Sequence, residues 1–135
     1  AYYLDGAVSP NSTSGDPRGD QPIYYLQSMT DRVWSIFGGV KPVCYTALGY
    51  LAAEGYTLSE GYTWAQGTTA ALQAQWLTEA IQGAMQSTRI RLMIIWNMDA
   101  VTVDATTVAG AYALLRPGAG CPACDALEPL LDPTP

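Results

Sequence analysis

The sequence predicts an α/β fold built from about two to three strand–helix units. Residues 41–50 and 90–98 are two short, apolar segments of the kind that form buried parallel strands. Residues 68–87, which lie between them, repeat apolar side chains at helical spacing. Strand, helix and strand joined by short junctions indicate a right-handed crossover between parallel strands. We expect one domain, residues 1–135.

Residues 1–21 are rich in Ser, Pro, Gly and Asp, a composition that favours turns, and we expect a loop there. Residues 22–37 predict a helix, because Pro22 suits a first helical turn and two glycines follow Phe37. The apolar residues of this segment recur at spacings that predict one buried face, namely Ile23, Leu26, Val33 and Phe37.

The strand predicted over 41–50 has Pro42 near its start and Gly49 near its end, and it leads into an aromatic loop. Thr68 or Thr69 can cap the helix predicted over 68–87. Residues 90–98 form the clearest strand segment, since continuous apolar sequence follows directly on an amphipathic helix. A polar loop comes after Asp99, and a short helix is predicted over 121–131.

Composition excludes several classes of function. Hydrophobic residues make up 49% and charged residues 13% of the chain, which is typical of a globular protein. The longest apolar run is far shorter than the ~20 residues of a membrane span, so we expect no membrane partner. A net charge of −6 disfavours nucleic-acid binding. The chain has no histidine and three cysteines, so we expect no metal site and no cofactor.

Two strand endings carry a resemblance to a known family. Thr46-Ala47-Leu48-Gly49 resembles the end of the seventh strand of clan-A glycoside hydrolases, where Thr-Glu-Leu/Phe-Gly is common. The segment that ends in Trp96 is similar to the eighth strand, whose Trp lies beneath the sugar in that clan. The resemblance implies the C-terminal part of a partial (β/α) TIM-type barrel, completed by self-association into a homo-oligomer or by another barrel segment.

The same resemblance implies a damaged catalytic site, because Ala47 occupies the place of the nucleophilic glutamate. The family takes its acid from the fourth strand, which has no counterpart here, although glycoside hydrolysis needs two carboxyl groups. Whether the protein is an enzyme is therefore open. Asp99, at the end of the last strand, is the remaining candidate for relocated chemistry, whereas we expect Glu54 and Glu60 to be solvated loop charges.

The resemblance also implies a saccharide ligand at the C-terminal ends of the strands. Aromatic rings can stack on the C–H groups of sugars, although core packing is the likelier role of Tyr45 and an equal alternative for Trp64. The expected substrate-binding residues are Trp96, Asn97, Tyr50, Trp64 and Tyr3. One alternative is a non-catalytic carbohydrate-binding or self-assembling structural module.

Cys121 and Cys124 form a Cys-x-x-Cys motif at the start of a predicted helix. A helix N-terminus lowers the pKa of a thiol, so the motif keeps a thiol-disulfide oxidoreductase as another alternative. We favour a structural disulfide, because the motif follows the last strand of the fold. A disulfide suits an oxidising compartment, so we expect an extracellular or secreted protein.

Overall fold

The protein is built on a parallel sheet of three strands in the order β1-β2-β3. The computed structural model describes residues 1–4, 7–100 and 108–132. The strands are β1 (Tyr2–Leu4), β2 (Val43–Gly49) and β3 (Ile90–Ile95). Both strand pairs are parallel, with Tyr2 opposite Ala47 and Leu48 opposite Ile95. The predicted α/β class is confirmed, whereas closure into a barrel stays a prediction.

Helices connect and follow the strands. The α-helices are α1 (Leu26–Ile36), α2 (Ala70–Gln86), α3 (Val108–Tyr112) and α4 (Pro122–Leu131). Two 3-10 helices, Pro22–Tyr24 and Glu60–Ala65, lie in the loops after β1 and β2. Thr69 caps α2 by accepting a hydrogen bond from the Leu72 amide at 3.1 Å, as one of the two predicted caps.

The helix predicted over 22–37 is interrupted at Tyr25, whose backbone is extended at φ −127° and ψ 122°. The Tyr25 ring is buried, and its hydroxyl donates to the Gly19 carbonyl at 3.0 Å, which ties this residue to the preceding loop. Ile23 and Phe37, expected on the buried face, are 53% and 57% exposed. The prediction was wrong there because a tertiary contact overrides the local periodicity.

The N-terminal loop prediction was wrong at Tyr2–Leu4, which forms β1. Its pairing partner is more than 40 residues away along the chain, so local composition carries no signal for it. Residues 5–6 of the predicted loop lie outside the described residues, as do residues 101–107 of the polar loop after Asp99. The strand predicted over 90–98 ends at Ile95.

Helices cover one face of the sheet. Tyr45 and Leu48 of β2 are fully buried and belong to the same core as Leu77 of α2. Side chains alternate along a strand, and on β3 this places Leu92 and Ile94 on the other face, where they are 46% and 48% exposed. β3 lies at the sheet edge and is covered on one side only.

Arg116 ties together the loops that follow β2 and β3. Its side chain is buried, and its Nη2 donates to the carbonyls of Ala52 at 3.0 Å and Glu54 at 2.6 Å. Burial lowers the pKa of Arg116, against the opposing influence of Tyr56 and Glu54. The guanidinium also lies 4.7 Å from the centre of the Tyr56 ring. One side chain therefore satisfies carbonyls that no regular element can pair.

We expect Arg116→Met to lower the free energy of unfolding by about 2 to 4 kcal/mol, because buried carbonyls lose their donor. Urea denaturation measures this loss. Arg32→Met is the matched control, since Arg32 is exposed on α1 and should change stability by no more than about 0.5 kcal/mol. Equal effects of the two substitutions would contradict the role assigned to Arg116.

Candidate functional site

An open cleft of about 390 Å³ lies at the C-terminal ends of the strands. This end of a parallel sheet is where α/β proteins bind their ligands. We call it the aromatic cleft, because five of its eight lining residues carry aromatic rings. The lining residues are Arg18, Tyr24, Gly61, Tyr62, Trp64, Trp96, Val108 and Tyr112.

Each strand contributes to the cleft through the loop that follows it. Tyr24 ends the 3-10 helix after β1. Tyr62 and Trp64 lie on the 3-10 helix after β2. Trp96 comes directly after β3, and Tyr112 ends α3. The parallel topology therefore brings together rings from three separate segments of sequence.

Trp96 is fixed by the last strand pairing, because its amide donates to the Leu48 carbonyl at 2.8 Å. Its ring centre lies 5.6 Å from that of Tyr112, with the two planes tilted by 54°. The peptide bond between Trp96 and Asn97 is cis. On the other wall, the Tyr62 and Trp64 rings lie 6.2 Å apart and are tilted by 46°.

Arg18 stacks on two rings of the cleft. Its guanidinium carbon lies 3.8 Å from the centre of the Trp64 ring and 4.3 Å from that of Tyr24. Asp16 holds this guanidinium in a two-pronged ion pair, with Nε–Oδ1 at 2.8 Å and Nη2–Oδ2 at 2.5 Å. Arg18 is therefore oriented from the Asp16 side and contacts aromatic faces within the cleft.

The Asp16 carboxylate has no exposed surface. Burial favours a higher pKa, but the hydrogen bonds from the Arg18 side chain and amide, together with the Arg18 charge, outweigh it. The pKa of Asp16 consequently lies below its ordinary value. This carboxylate is occupied by Arg18, and among the described residues that line the cleft none carries a carboxylate.

Two of the predicted substrate-binding residues line the cleft, namely Trp96 and Trp64. Asn97 is half-buried beside it, and its Nδ2 donates to the Ala109 carbonyl at 3.5 Å. The Asn97 Oδ1 is buried and has no hydrogen-bond partner among the described residues. Asn97 therefore adjoins the cleft without lining it.

Tyr3 and Tyr50 were wrongly predicted to bind substrate. They are 2% and 0% exposed, and their ring centres lie 5.8 Å apart within the main core. The Tyr50 ring also packs against Trp76 at 5.7 Å. Both rings are enclosed by core residues, and neither lines the cleft.

The candidate catalytic positions lie outside the cleft. Ala47 is half-buried on β2 and is not a lining residue. Asp99 is exposed, and within the described ranges it has no hydrogen-bond or ion-pair partner. Glu54 accepts a hydrogen bond from the Ala70 amide at 3.0 Å at the start of α2, a structural role, while Glu60 is exposed. No two of these residues place carboxylates on opposite sides of the cleft.

The predicted disulfide lies outside the aromatic cleft. Cys121 and Cys124 form a disulfide at the start of α4, as predicted. This helix packs on α2, and neither cysteine lines the aromatic cleft. In the part of the chain that the structure describes, no group of three potential metal ligands is present.

Sequence reasoning missed Arg18, Tyr24 and Tyr112 as cleft residues. Tyr24 falls in a strand–helix loop only once β1 is recognised, and three residues of strand give little sequence signal. Tyr112 follows a polar loop whose path depends on the whole fold. A sequence signal exists for the two tyrosines. The aromatic residues of the cleft come after a strand and lie before a helix or at its end.

No family model, no curated protein sequence and no solved structure matches the chain. The resemblance to clan-A glycoside hydrolases therefore rests on the two strand endings. Among residues 1–4, 7–100 and 108–132, no helix combines the length and the apolar composition needed to cross a bilayer.

We expect Asp16 to make stability depend on pH in the acid range. Its folded pKa is lowered, so its contribution is present above the unfolded value of about 4 and is lost as pH falls through the folded value. Asp16→Asn should flatten the fall in unfolding free energy below about pH 4. Urea denaturation across acidic pH measures this slope. Asp99→Asn is the control, and an equal flattening in both variants would contradict the prediction.

Proposed function

We propose that this protein binds a saccharide in the aromatic cleft and does not hydrolyse it by double displacement. The observation that carries the proposal is the meeting of aromatic rings from the loops after all three strands at one open cleft. Tilted aromatic rings grouped at one open cleft suit the C–H surfaces of a sugar. A cleft whose described lining residues include no carboxylate suits binding better than bond cleavage.

The family resemblance supports the choice of ligand. Trp96 stands at the strand ending that resembles the eighth strand of clan-A glycoside hydrolases, and it lines the cleft. The sugar platform implied by the resemblance thus coincides with the cleft found from geometry alone.

We base the expected lack of hydrolysis on the chemistry of the reaction. One carboxyl group must protonate the leaving oxygen while a second attacks the sugar or activates water. Ala47 offers a methyl group at the nucleophile position, and Asp99 lies outside the residues that line the cleft. A carbohydrate-binding module on a hydrolase-like scaffold is therefore our conclusion.

We also propose that the sheet is completed by a second copy or by another barrel segment. Parallel sheets are normally covered on both faces, and here Leu92 and Ile94 are exposed. The cleft would then gain further walls from the added strands.

We assign the Cys121–Cys124 disulfide a structural role in an extracellular protein. Its distance from the cleft in the fold, at the start of a helix packed on α2, favours this over thiol-disulfide exchange with a bound substrate. An oxidising compartment would keep the bond formed.

We expect Trp96→Ala and Trp64→Ala each to weaken saccharide binding roughly tenfold or more, since losing one stacked ring costs about 1.4 kcal/mol. Affinity electrophoresis on a panel of soluble polysaccharides measures the binding. Phe37→Ala is the matched control, because Phe37 is an exposed aromatic residue outside the cleft. Binding that survives both tryptophan substitutions would place the saccharide elsewhere.

The unchanged protein should release no reducing sugar from a polysaccharide that it binds. A reducing-end assay on the same panel checks this expectation, and release would overturn the non-hydrolytic assignment. We expect Ala47→Glu to stay inactive as well, because the described cleft lacks a general acid. Hydrolysis by that variant would show that an acid is present.

We expect Cys121→Ser to lower the free energy of unfolding by about 2 kcal/mol, the value for opening a short disulfide-closed loop. Saccharide binding at the cleft should be unchanged, and the unchanged protein should not catalyse insulin reduction. Insulin reduction that disappears in Cys121→Ser would instead support the oxidoreductase alternative. Cys44→Ser is the control, since Cys44 is a free thiol.

A further inference from the structure

Arg18 carries the charge of the aromatic cleft. Among the described residues that line the cleft it is the one with an ionised side chain, and 21% of that side chain is exposed. The other lining residues are aromatic rings, one valine and one glycine. A charged group on a ligand would therefore meet the Arg18 guanidinium before any other ionised group of this lining.

Asp16 compensates the Arg18 charge without lining the cleft. Its Oδ1 accepts from the Arg18 amide and from Nε, each at 2.8 Å, and its Oδ2 accepts from Nη2 at 2.5 Å. The Asp16 amide donates to the Tyr25 hydroxyl at 3.1 Å, which fixes the backbone at this residue. Despite its burial Asp16 has a lowered pKa, because Arg18 holds the charged form, so the carboxylate is ionised at neutral pH. The pair therefore has no net charge.

Arg18 stays with Asp16 when a ligand arrives. Besides the two side-chain hydrogen bonds to Asp16, its guanidinium packs on the Trp64 ring at 3.8 Å and on the Tyr24 ring at 4.3 Å. The Asp16 carboxylate has no exposed surface, and a buried charge that loses its partner strongly destabilises a protein. An acidic ligand thus meets a guanidinium that is already neutralised.

The other charges around the cleft do not favour an acidic ligand. Glu60 is exposed next to Gly61 of the lining. Arg116 is buried and does not line the cleft, and the Glu54 carboxylate lies close enough to act on its charge. The whole chain has a net charge of −6, and such a field repels anions.

We propose that the aromatic cleft selects uncharged polysaccharides over acidic ones, and that Asp16 sets this selectivity through Arg18. The inference rests on the proposed saccharide binding and names the class of sugar. A carboxylate brought to Arg18 would lie near the Asp16 carboxylate, and like charges at an interface disfavour association. A neutral pyranose stacks on the rings without this repulsion. Asp16 is a positioning residue, because it acts on the ligand through Arg18.

Matched polysaccharide derivatives test the proposal. The probes are cellulose, xylan and galactan, each as a hydroxyethyl ether and as a carboxymethyl ether, so that the two forms of one polymer differ in charge. Affinity electrophoresis of the full chain measures binding. We expect the unchanged protein to bind the hydroxyethyl form of at least one polymer roughly tenfold or more tightly than its carboxymethyl form.

Asp16→Asn should reduce this preference by roughly fivefold, since the site gains one unit of positive charge while asparagine can still accept hydrogen bonds from Arg18. Binding of the carboxymethyl form should rise, and added salt should abolish the gain. Binding of the hydroxyethyl form should stay the same. A merely structural role of Asp16 would weaken both forms alike.

Asp20→Asn is the matched control, because it removes the same charge from the same loop. Asp20 is exposed, and among the described residues no ion pair joins it to Arg18. This variant should keep the preference of the unchanged protein. Circular dichroism checks that both variants are folded.

Two results would overturn the selectivity while leaving saccharide binding in place. One is an unchanged protein that binds a carboxymethyl form as tightly as the hydroxyethyl form, and this comparison holds even if Asp16→Asn does not fold. The other is an equal shift of the preference in Asp16→Asn and Asp20→Asn. No binding of any probe would instead contradict the proposed saccharide binding, and the selectivity with it.

Discussion

The cleft end of this protein depends on how Arg116 satisfies backbone carbonyls. The loops after β2 and β3 meet above the sheet, and the carbonyls of Ala52 and Glu54 accept hydrogen bonds from the Arg116 side chain. A guanidinium has five N–H donors in a fixed plane, so one buried arginine can hydrogen-bond several loop segments at once. Gln73 of α2 acts in the same way, donating from Nε2 to the Tyr50 carbonyl at 2.8 Å and the Tyr112 carbonyl at 3.2 Å. Four of the five aromatic residues that line the cleft are carried by these same two loops, so their placement depends on these two buried polar side chains.

The sheet separates the protein into two ends of different chemistry. At the C-terminal ends of the strands, long loops present aromatic faces and one arginine that is already paired. At the N-terminal ends, short turns leave apolar and basic side chains exposed. Both arrangements follow from parallel strands, since every strand begins at one end of the sheet and finishes at the other.

Sequence patterns predicted the elements whose signals are local. Neighbouring residues alone predict the apolar stripe of α2, the cap at Thr69 and the strand Val43–Gly49. The short strand β1 and the break at Tyr25 depend on partners far along the chain, which composition does not reveal. The site residues divide in the same way, between those with a local sequence signal and those placed by distant contacts. Trp96 was found from its strand ending, whereas Tyr3 and Tyr50 lie in the core because they pack on residues far along the chain, which local sequence does not reveal.

The stack of Arg18 between Trp64 and Tyr24 has a thermodynamic consequence. Side chains that are mobile in the free state lose about 0.5–1.5 kcal/mol each in conformational entropy when a ligand immobilises them. Trp64 and Tyr24 already pack against a guanidinium that Asp16 orients, so their rotamers are restrained before any ligand arrives. This part of the cleft is preorganised, and a sugar that stacks there retains more of its contact energy as affinity.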